Sequence, residues 1–145
     1  MINNRKELLK TLIEKLISTI HDMNMGQSFP LGDCLLNKQQ IMIIFFIYKN
    51  KSEASVKEIA EFLHVTSGAV TQLVDYLVEN RIVKREENSL DRRSVNIRLT
   101  ASTEKKFNNF RKKYLESVSK SFNSLNDKEL AQFITLVEKI KITDR

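Results

Sequence analysis

The first group of residues that could do chemistry lies on the polar face of one predicted helix near the middle of the chain. A helix capped by Thr66 and running to about Asn80 has a buried side formed by Val70, Leu73, Val74 and Leu77. The outward side then carries Ser67, Gly68, Thr71, Gln72 and Asp75. Gln72 can make two hydrogen bonds with adenine, and Ser67 or Thr71 can reach a base or a phosphate. Such a face suits the major groove of DNA, although an ordinary amphipathic surface helix would show the same pattern.

A loop between two β-prone stretches is the second candidate site. Residues 82–85 and 95–99 favour strands that pair as a hairpin, and the loop between them carries Leu90-Asp91-Arg92-Arg93-Ser94. Asp91 could orient one of the two arginines, and a narrow minor groove of negative potential attracts such arginines. The alternative is a solvated loop with a weak surface salt bridge.

Two short helices joined by a tight connector would position the first site. Ser55 and Glu58 form a capping box that opens a helix ending near His64, and Thr66 begins the next helix almost at once. This spacing predicts a helix-turn-helix whose second helix is the one with the polar face.

Further helices precede this unit. Asn4 and Glu7 fit a capping box for a first helix from about Arg5 to Met25, and residues 26–34, which contain Phe29-Pro30, are predicted to form a loop. Asn37 and Gln40 repeat the capping pattern before a helix that is apolar on every face. We expect this second helix to be central and buried.

Two more helices follow the predicted hairpin. Thr100 opens a long helix whose aromatic residues share one face, and Asn126 with Glu129 caps a last amphipathic helix. The predicted fold class is therefore mainly α with a small β-hairpin wing, in which the winged helix-turn-helix is flanked by further helices.

Composition and charge restrict the classes of function. The 145 residues suit a single domain, and 24 Lys+Arg against 18 Asp+Glu give a net charge of +6 that favours a polyanion such as nucleic acid. A basic solvated surface would give the same number. Cys34 is the single cysteine, so no intrachain disulfide can form, and a reducing cytoplasm fits. The N-terminal helix has no unbroken apolar stretch, so we expect a cytoplasmic protein that does not enter the membrane.

Catalysis and metal binding are not indicated. An enzyme needs converging titratable or nucleophilic groups, whereas His21, His64 and Cys34 are far apart in the sequence. No Cys/His spacing fits zinc and no glycine-rich loop fits a phosphate, so we expect neither a metal nor a cofactor.

Five segments together resemble the core signature of the MarR family of bacterial regulators. They are residues 65–74, Leu77-Val78-Glu79-Asn80, Ile82-Val83-Lys84-Arg85, Asp91-Arg92-Arg93 and Leu99-Thr100. The resemblance is clearest from about Asn37 to Thr100. It implies one domain over residues 1–145, in which residues 37–100 form a winged helix-turn-helix DNA-binding lobe and residues 1–25 and 101–145 form dimerisation helices.

The resemblance also implies what the lobe does. Such a protein is a sequence-specific transcriptional regulator, in this case expected to be a repressor, that binds a pseudo-palindromic operator in double-stranded DNA as a homodimer. The implied DNA-binding residues are Thr66, Ser67, Gly68, Thr71, Gln72, Asp91, Arg92 and Arg93. Arg93 occupies the family's Asp-x-Arg wing position, with Asp91 as its orienting partner. A winged helix used for protein interaction, or for DNA binding without sequence preference, remains the alternative.

Three positions depart from the family pattern. Arg81 stands where the family usually has glycine before the first wing strand, and we expect Asn80 to supply the left-handed residue of that turn. Thr103 stands where glycine usually follows the Leu-Thr pair. The wing, residues 86–94, contains no glycine and carries Glu86, Glu87 and Asp91, which would oppose phosphate.

The family commonly responds to small aromatic ligands or to cysteine oxidation. Met23, Met25 and Phe29 could line an adaptable apolar pocket for a small aromatic effector, although ordinary core packing would use the same residues. Cys34 is far from the chain start, where the family's cysteine sensors usually lie, so we expect it to be inert.

Overall fold

The computed structural model describes residues 2–23, 28–88 and 90–141. Its helices are α1 (Ile2–Met23), α2 (Lys38–Lys49), α3 (Val56–Leu63), α4 (Ser67–Glu79), α5 (Ala101–Ser119) and α6 (Asp127–Glu138), with a 3-10 turn at Lys120–Phe122. Its strands are β1 (Phe29–Leu31), β2 (Cys34–Leu36), β3 (Glu53–Ser55), β4 (Val83–Glu87) and β5 (Val95–Leu99). The expected class, mainly α with a small β-hairpin wing, is confirmed. The chain divides into two compact units between Phe110 and Arg111.

The core of the first unit is built on α2. Ile43, Ile44 and Ile47 have no exposed surface, and they pack in one cluster with buried residues of α3, α4 and the sheet. Asn37 and Gln40 form the expected capping box at the start of α2. The helix is central as predicted, but the expectation of burial on every face was wrong at Phe45, which is 43% exposed. Burial of the isoleucines fixes α2 as the support against which the other elements of this unit pack.

The helix-turn-helix has the predicted bounds. Ser55 and Glu58 form a reciprocal capping box at the start of α3, and Thr66 caps α4 by accepting a hydrogen bond from the backbone N–H of Ala69 at 3.1 Å. Between the helices, His64 is left-handed with φ 55°. The N–H of Val65 donates to the carbonyl of Ala60 at 3.1 Å, which closes the C-terminus of α3 and turns the chain directly into α4.

The end of α4 corrects one expectation. Arg81 itself is left-handed, with φ 56°, whereas Asn80 has φ −88°. The N–H of Arg81 donates to the Val78 carbonyl at 2.9 Å and that of Ile82 to the Leu77 carbonyl at 2.8 Å, which is the Schellman pattern of helix termination. Arginine in place of glycine costs about 1 kcal/mol at such a position. Leu77 before the turn and Ile82 after it are buried, and their packing holds the turn in spite of this cost.

The wing is part of a three-stranded antiparallel sheet in the order β3-β5-β4. β4 and β5 pair along their whole length, from Val83 opposite Leu99 to Glu87 opposite Val95, which confirms the predicted hairpin. β3 was not predicted, because three residues are too few to show an alternating pattern. Its pairing with β5 ties the start of α3 to the wing, so the position of the wing relative to the helix-turn-helix is fixed by backbone hydrogen bonds.

A second hairpin replaces the loop that was expected over residues 26–34. β1 and β2 pair through a two-residue turn of Gly32 and Asp33, with Gly32 at φ 60°. Gly followed by Asp is a hairpin signal, but Pro30 obscured it, since proline usually interrupts strands. Pro30 is tolerated because its position in β1 is exposed. A Cβ at position 32 would also lie 3.0 Å from the Lys106 ammonium, so that flexible side chain would have to shift slightly.

The first helix begins earlier than expected. α1 starts at Ile2, so Asn4 lies inside the helix and not at its cap, and the predicted end at Met25 lies outside the described residues. Leucines along α1 remain exposed in the first unit: Leu8 by 63%, Leu9 by 44%, Leu12 by 49% and Leu16 by 39%. No described helix is long and apolar enough to cross a membrane.

The starts of the last two helices have different contacts. Thr103, where the family pattern has glycine, is 3% exposed, and its hydroxyl accepts a hydrogen bond from that of Thr100 at 2.8 Å. In the second unit, Asn126 and Glu129 form the predicted capping box of α6. Large apolar residues of α6 are exposed within this unit, namely Phe133, Ile134, Leu136 and Val137.

Candidate nucleic-acid interface

The N-terminal half of α4 presents the polar face that the sequence predicted. Ser67, Gly68, Thr71 and Gln72 are all exposed, whereas Val70, Val74 and Leu77 on the other side have no exposed surface. This burial fixes the rotation of α4 about its axis, so the polar side chains cannot turn inward. No acidic residue stands in the first turn, where the helix dipole favours anions.

Backbone contacts already occupy part of the hydrogen-bonding capacity of this face. The Thr66 hydroxyl accepts the cap hydrogen bond, and the Thr71 hydroxyl donates to the Ser67 carbonyl at 3.0 Å. Thr66 can still donate a hydrogen bond and Thr71 can still accept one. Gln72 has no such internal contact among the described residues, which leaves its whole amide to meet a base edge.

Asp75 is the one carboxylate on the exposed face of the central part of α4, and it is paired. A guanidinium nitrogen of Arg85, on β4, donates to its carboxylate. The sequence pattern placed Asp75 on this face but did not reveal its partner, because the contact depends on how β4 lies beside α4. The pair compensates a negative charge that would otherwise repel phosphate.

The tip of the wing exposes both arginines. Asp91, Arg92 and Arg93 are exposed, and Leu90 beside them is 95% exposed. The Asp91 carboxylate accepts a hydrogen bond from the backbone N–H of Arg93 at 3.0 Å, and Ser94 N–H donates to the Asp91 carbonyl at 3.0 Å. Asp91 therefore shapes the backbone on which Arg93 stands, and in the described residues it forms no ion pair with the Arg93 guanidinium.

Two acidic residues of the sheet, Glu86 and Glu53, are paired with basic residues of the same sheet. Hydrogen bonds from Lys84 first, and from Arg98 at 3.3 Å, hold the pKa of Glu86 below its ordinary value, although partial desolvation opposes them. Arg98 also lies 3.8 Å from Glu53 on β3. The negative charge expected on the wing is thus partly cancelled before any phosphate approaches.

Only part of the suggested effector site lies within the described residues. Met25 lies outside them, as does the side chain of Met23. Phe29 is half-buried on β1, and its ring meets that of Phe110 edge-on at 6.1 Å between centroids. Core packing therefore accounts for Phe29 adequately, and an effector role for these three residues stays a prediction.

Two other kinds of reactive group were considered in the sequence: the thiol of Cys34 and side chains that could bind a metal ion. Cys34 is half-buried on β2, and its thiol lies 3.8 Å from the side-chain oxygen of Asn80 at the end of α4. Among the residues that the structure describes, no three His, Cys, Asp or Glu side chains come together in a way that could hold a metal ion.

A helix-turn-helix with a free polar helix face, followed by a sheet whose hairpin exposes arginines, defines a winged-helix DNA-binding protein. Residues 36–94 match the model of the MarR family, close to the range that the sequence motifs indicated. Over these residues, which are less than half of the chain, the sequence is therefore similar to the MarR family.

Known proteins are similar to a larger part of the chain. The HTH-type transcriptional regulator BilQ of Clostridium symbiosum (strain WAL-14163) is 27% identical over 100 residues, which are 68% of this chain and 69% of BilQ. A mutant of MarR from E. coli, solved with operator DNA, superposes with a TM-score of 0.65 at 22% identity over 94% of this chain and 95% of that chain. A mutant of Lactococcus lactis ZitR in complex with DNA superposes with a TM-score of 0.59 at 22% identity over 90% of this chain and 96% of that chain. Both superpositions show that the folds are similar.

Proposed function

We propose that the protein is a sequence-specific repressor that binds a pseudo-palindromic operator as a homodimer. The observation that carries the proposal is that the polar face of α4 and the arginine-bearing tip of the wing are both exposed on one compact unit. The core under α4 and the pairing of β3 with β5 fix the distance between them. In the proposed complex α4 enters the major groove and the wing reaches the adjacent minor groove. DNA complexes of proteins with this fold support the proposal.

The proposed dimer supplies the second recognition helix. Residues 1–25 and 101–145 would form the dimer, because large apolar side chains of α1 and α6 are exposed and a second chain would cover them. Two copies of α4 would enter successive major grooves on one side of the duplex, so the half-sites lie about 10 bp apart. This function places the protein in the cytoplasm, where a small aromatic effector could release it from DNA.

A competition assay separates this function from its alternative. Labelled operator bound to the protein is challenged with unlabelled operator or with unrelated DNA of equal length at physiological salt. Specific binding predicts that unrelated DNA competes at least about 10³-fold more weakly. Equal competition by the two DNAs would identify an architectural module, and no binding to either would favour a protein-interaction module.

Gln72 is expected to read a base. Replacing it with alanine should weaken operator binding by about 1 to 3 kcal/mol for each half-site and relax the base preference at one position, because the side chain is exposed and free of internal contacts. The measurement is the affinity of the parent and of Gln72→Ala for the operator and its single-base variants. Identical profiles for the two proteins would remove Gln72 from base recognition.

Arg93 is expected to contribute through charge and groove shape. Arg93→Ala should weaken operator binding and lower the slope of log affinity against log salt by about 0.9 for each phosphate that the arginine neutralises, with no change in unfolding temperature. Asp91→Ala should have a milder effect, because it removes only the acceptor that holds the Arg93 backbone. Unchanged affinity of Arg93→Ala at physiological salt would exclude the wing tip from DNA binding.

A further inference from the structure

A groove on the outer side of the wing has no role in the function described so far. It encloses about 670 Å³ between the turn that follows α2, the start of α3 and the base of the wing. We call it the outer wing groove; its lining includes Lys49, Lys51, Lys57, Asn88, Ser94 and Asn96. It lies along β3, whereas α4 packs beside β4 at the opposite edge of the same sheet.

The lysines of the outer wing groove have no acidic partners. Lys49, Lys51 and Lys57 are exposed, and in the described part of the chain none of them lies within 4.0 Å of a carboxylate oxygen. Cations that line one groove repel one another, and an anion with several charges relieves this repulsion.

The carboxylates of the same groove are engaged within the protein. Glu53 lies 3.8 Å from a guanidinium nitrogen of Arg98, and Glu58 accepts the capping hydrogen bond of the Ser55 backbone N–H at 2.7 Å. Both side chains are exposed, so these partners compensate the two carboxylates only in part, and the three lysines leave the groove with a positive net charge. The groove presents lysine ammonium groups and, from the wing, the amides of Asn88 and Asn96, all of which can donate hydrogen bonds.

The geometry of DNA assigns a partner to this groove. A minor groove is bordered by two phosphate backbones about 6 Å apart, so a wing that enters it has one backbone on each flank. One flank of the wing, along β4, leads to α4. The other flank is the outer wing groove, which is continuous with the wing tip through Asn88 and Ser94.

We propose that the outer wing groove binds the phosphate backbone on the far side of the minor groove from α4, with Lys49, Lys51 and Lys57 as the contacting residues. This inference rests on the proposed function. Contacts in the outer wing groove would extend each half of the DNA site outward, beyond the bases that α4 and the wing tip reach. The protein would then bind a longer duplex than the two half-sites alone require.

Operator length and salt dependence test the proposal together. The operator selected by the parent protein is prepared as a short duplex that ends at the minor groove met by the wing, and as a long duplex with about five further base pairs at each end. The groove variant carries Lys49→Gln, Lys51→Gln and Lys57→Gln. The control variant carries Lys38→Gln, which removes a charge from an exposed position at the start of α2, outside the groove, the wing and the proposed dimer segments, and Lys57→Gln alone is its matched single variant from the groove. Circular dichroism melting verifies that all three variants fold.

We expect the parent and the control to bind the long duplex more tightly than the short one, and the groove variant to bind both alike. The salt slope of the groove variant on the long duplex should fall by about 0.9 for each phosphate that is no longer neutralised, hence by at least about 2 for a dimer. Two results would show that the outer wing groove does not bind DNA: the parent binds the short and long duplexes equally, or the groove variant binds like the control. The proposed function would still stand if the parent prefers the operator to other DNA. If the parent prefers no DNA sequence, both proposals fail.

Discussion

Leu12→Asp should convert the protein from a dimer to a monomer and lower operator affinity by several orders of magnitude. Leu12 is 49% exposed within the chain and lies on α1 in a row with Leu8, Leu9 and Leu16. Covering a leucine contributes about 1.5 to 3 kcal/mol, and a symmetric interface contains each residue twice. A carboxylate there would have to lose its hydration without a partner.

Light scattering at micromolar concentration measures the expected change. The parent should have twice the chain mass of 16.9 kDa and the Leu12→Asp protein one chain mass. Lys10→Asp, an exposed change on the opposite side of α1, is the control and should remain dimeric. A mass of 16.9 kDa for the parent would contradict the proposed homodimer outright.

Phe107→Ala should lower the free energy of unfolding by about 3 to 5 kcal/mol. Phe107 is 1% exposed at the start of α5, and its ring centroid lies 5.1 Å from that of Tyr48 and 5.9 Å from that of Phe110. Truncation leaves a cavity among aromatic rings that cannot collapse onto it. The same packing joins α5 to α2, so DNA binding should become temperature-sensitive as well.

Urea unfolding at one fixed protein concentration measures this change, since the stability of a dimer depends on concentration. Leu90→Ala removes a large apolar side chain that is 95% exposed at the wing tip, and it should change the unfolding free energy by no more than about 0.5 kcal/mol. Similar destabilisation of the two variants would mean that Phe107 does not anchor the core.

Local signals explain why much of the fold could be predicted. The capping boxes at Asn37, Ser55 and Asn126 depend on residues three positions apart, and all three form as predicted. The rotation of α4 followed from the spacing of its apolar residues, so the exposed face was also predicted correctly. Alternation of apolar and polar residues in 95–99 was sufficient to identify the second wing strand.

Three features of the fold were missed, each for a different reason. β3 consists of three residues and exists because β5 offers it a free edge, which no local pattern shows. The β1–β2 hairpin was obscured by Pro30. At the end of α4 the left-handed residue is Arg81 and not Asn80, because the hydrogen bonds to the Val78 and Leu77 carbonyls fix the turn one residue later.

The candidate site also has residues that the sequence predicted and contacts that it did not. Ser67, Thr71 and Gln72 could be placed from helical periodicity alone. The pair of Asp75 with Arg85, and the lysines that come together in the outer wing groove, join residues from separate elements. No regular spacing along the chain marks these groups, so they are recognisable only in the folded lobe.

Selection of bound sequences from a random pool of double-stranded DNA tests the central claim most directly. We predict enrichment of one motif made of two inverted half-sites whose centres lie about 10 bp apart, with a preferred base in each half-site that disappears when the selection is repeated with Gln72→Ala. Recovery of DNA without any enriched motif, at a salt concentration where the protein still binds, would contradict the claim that this protein recognises a specific operator.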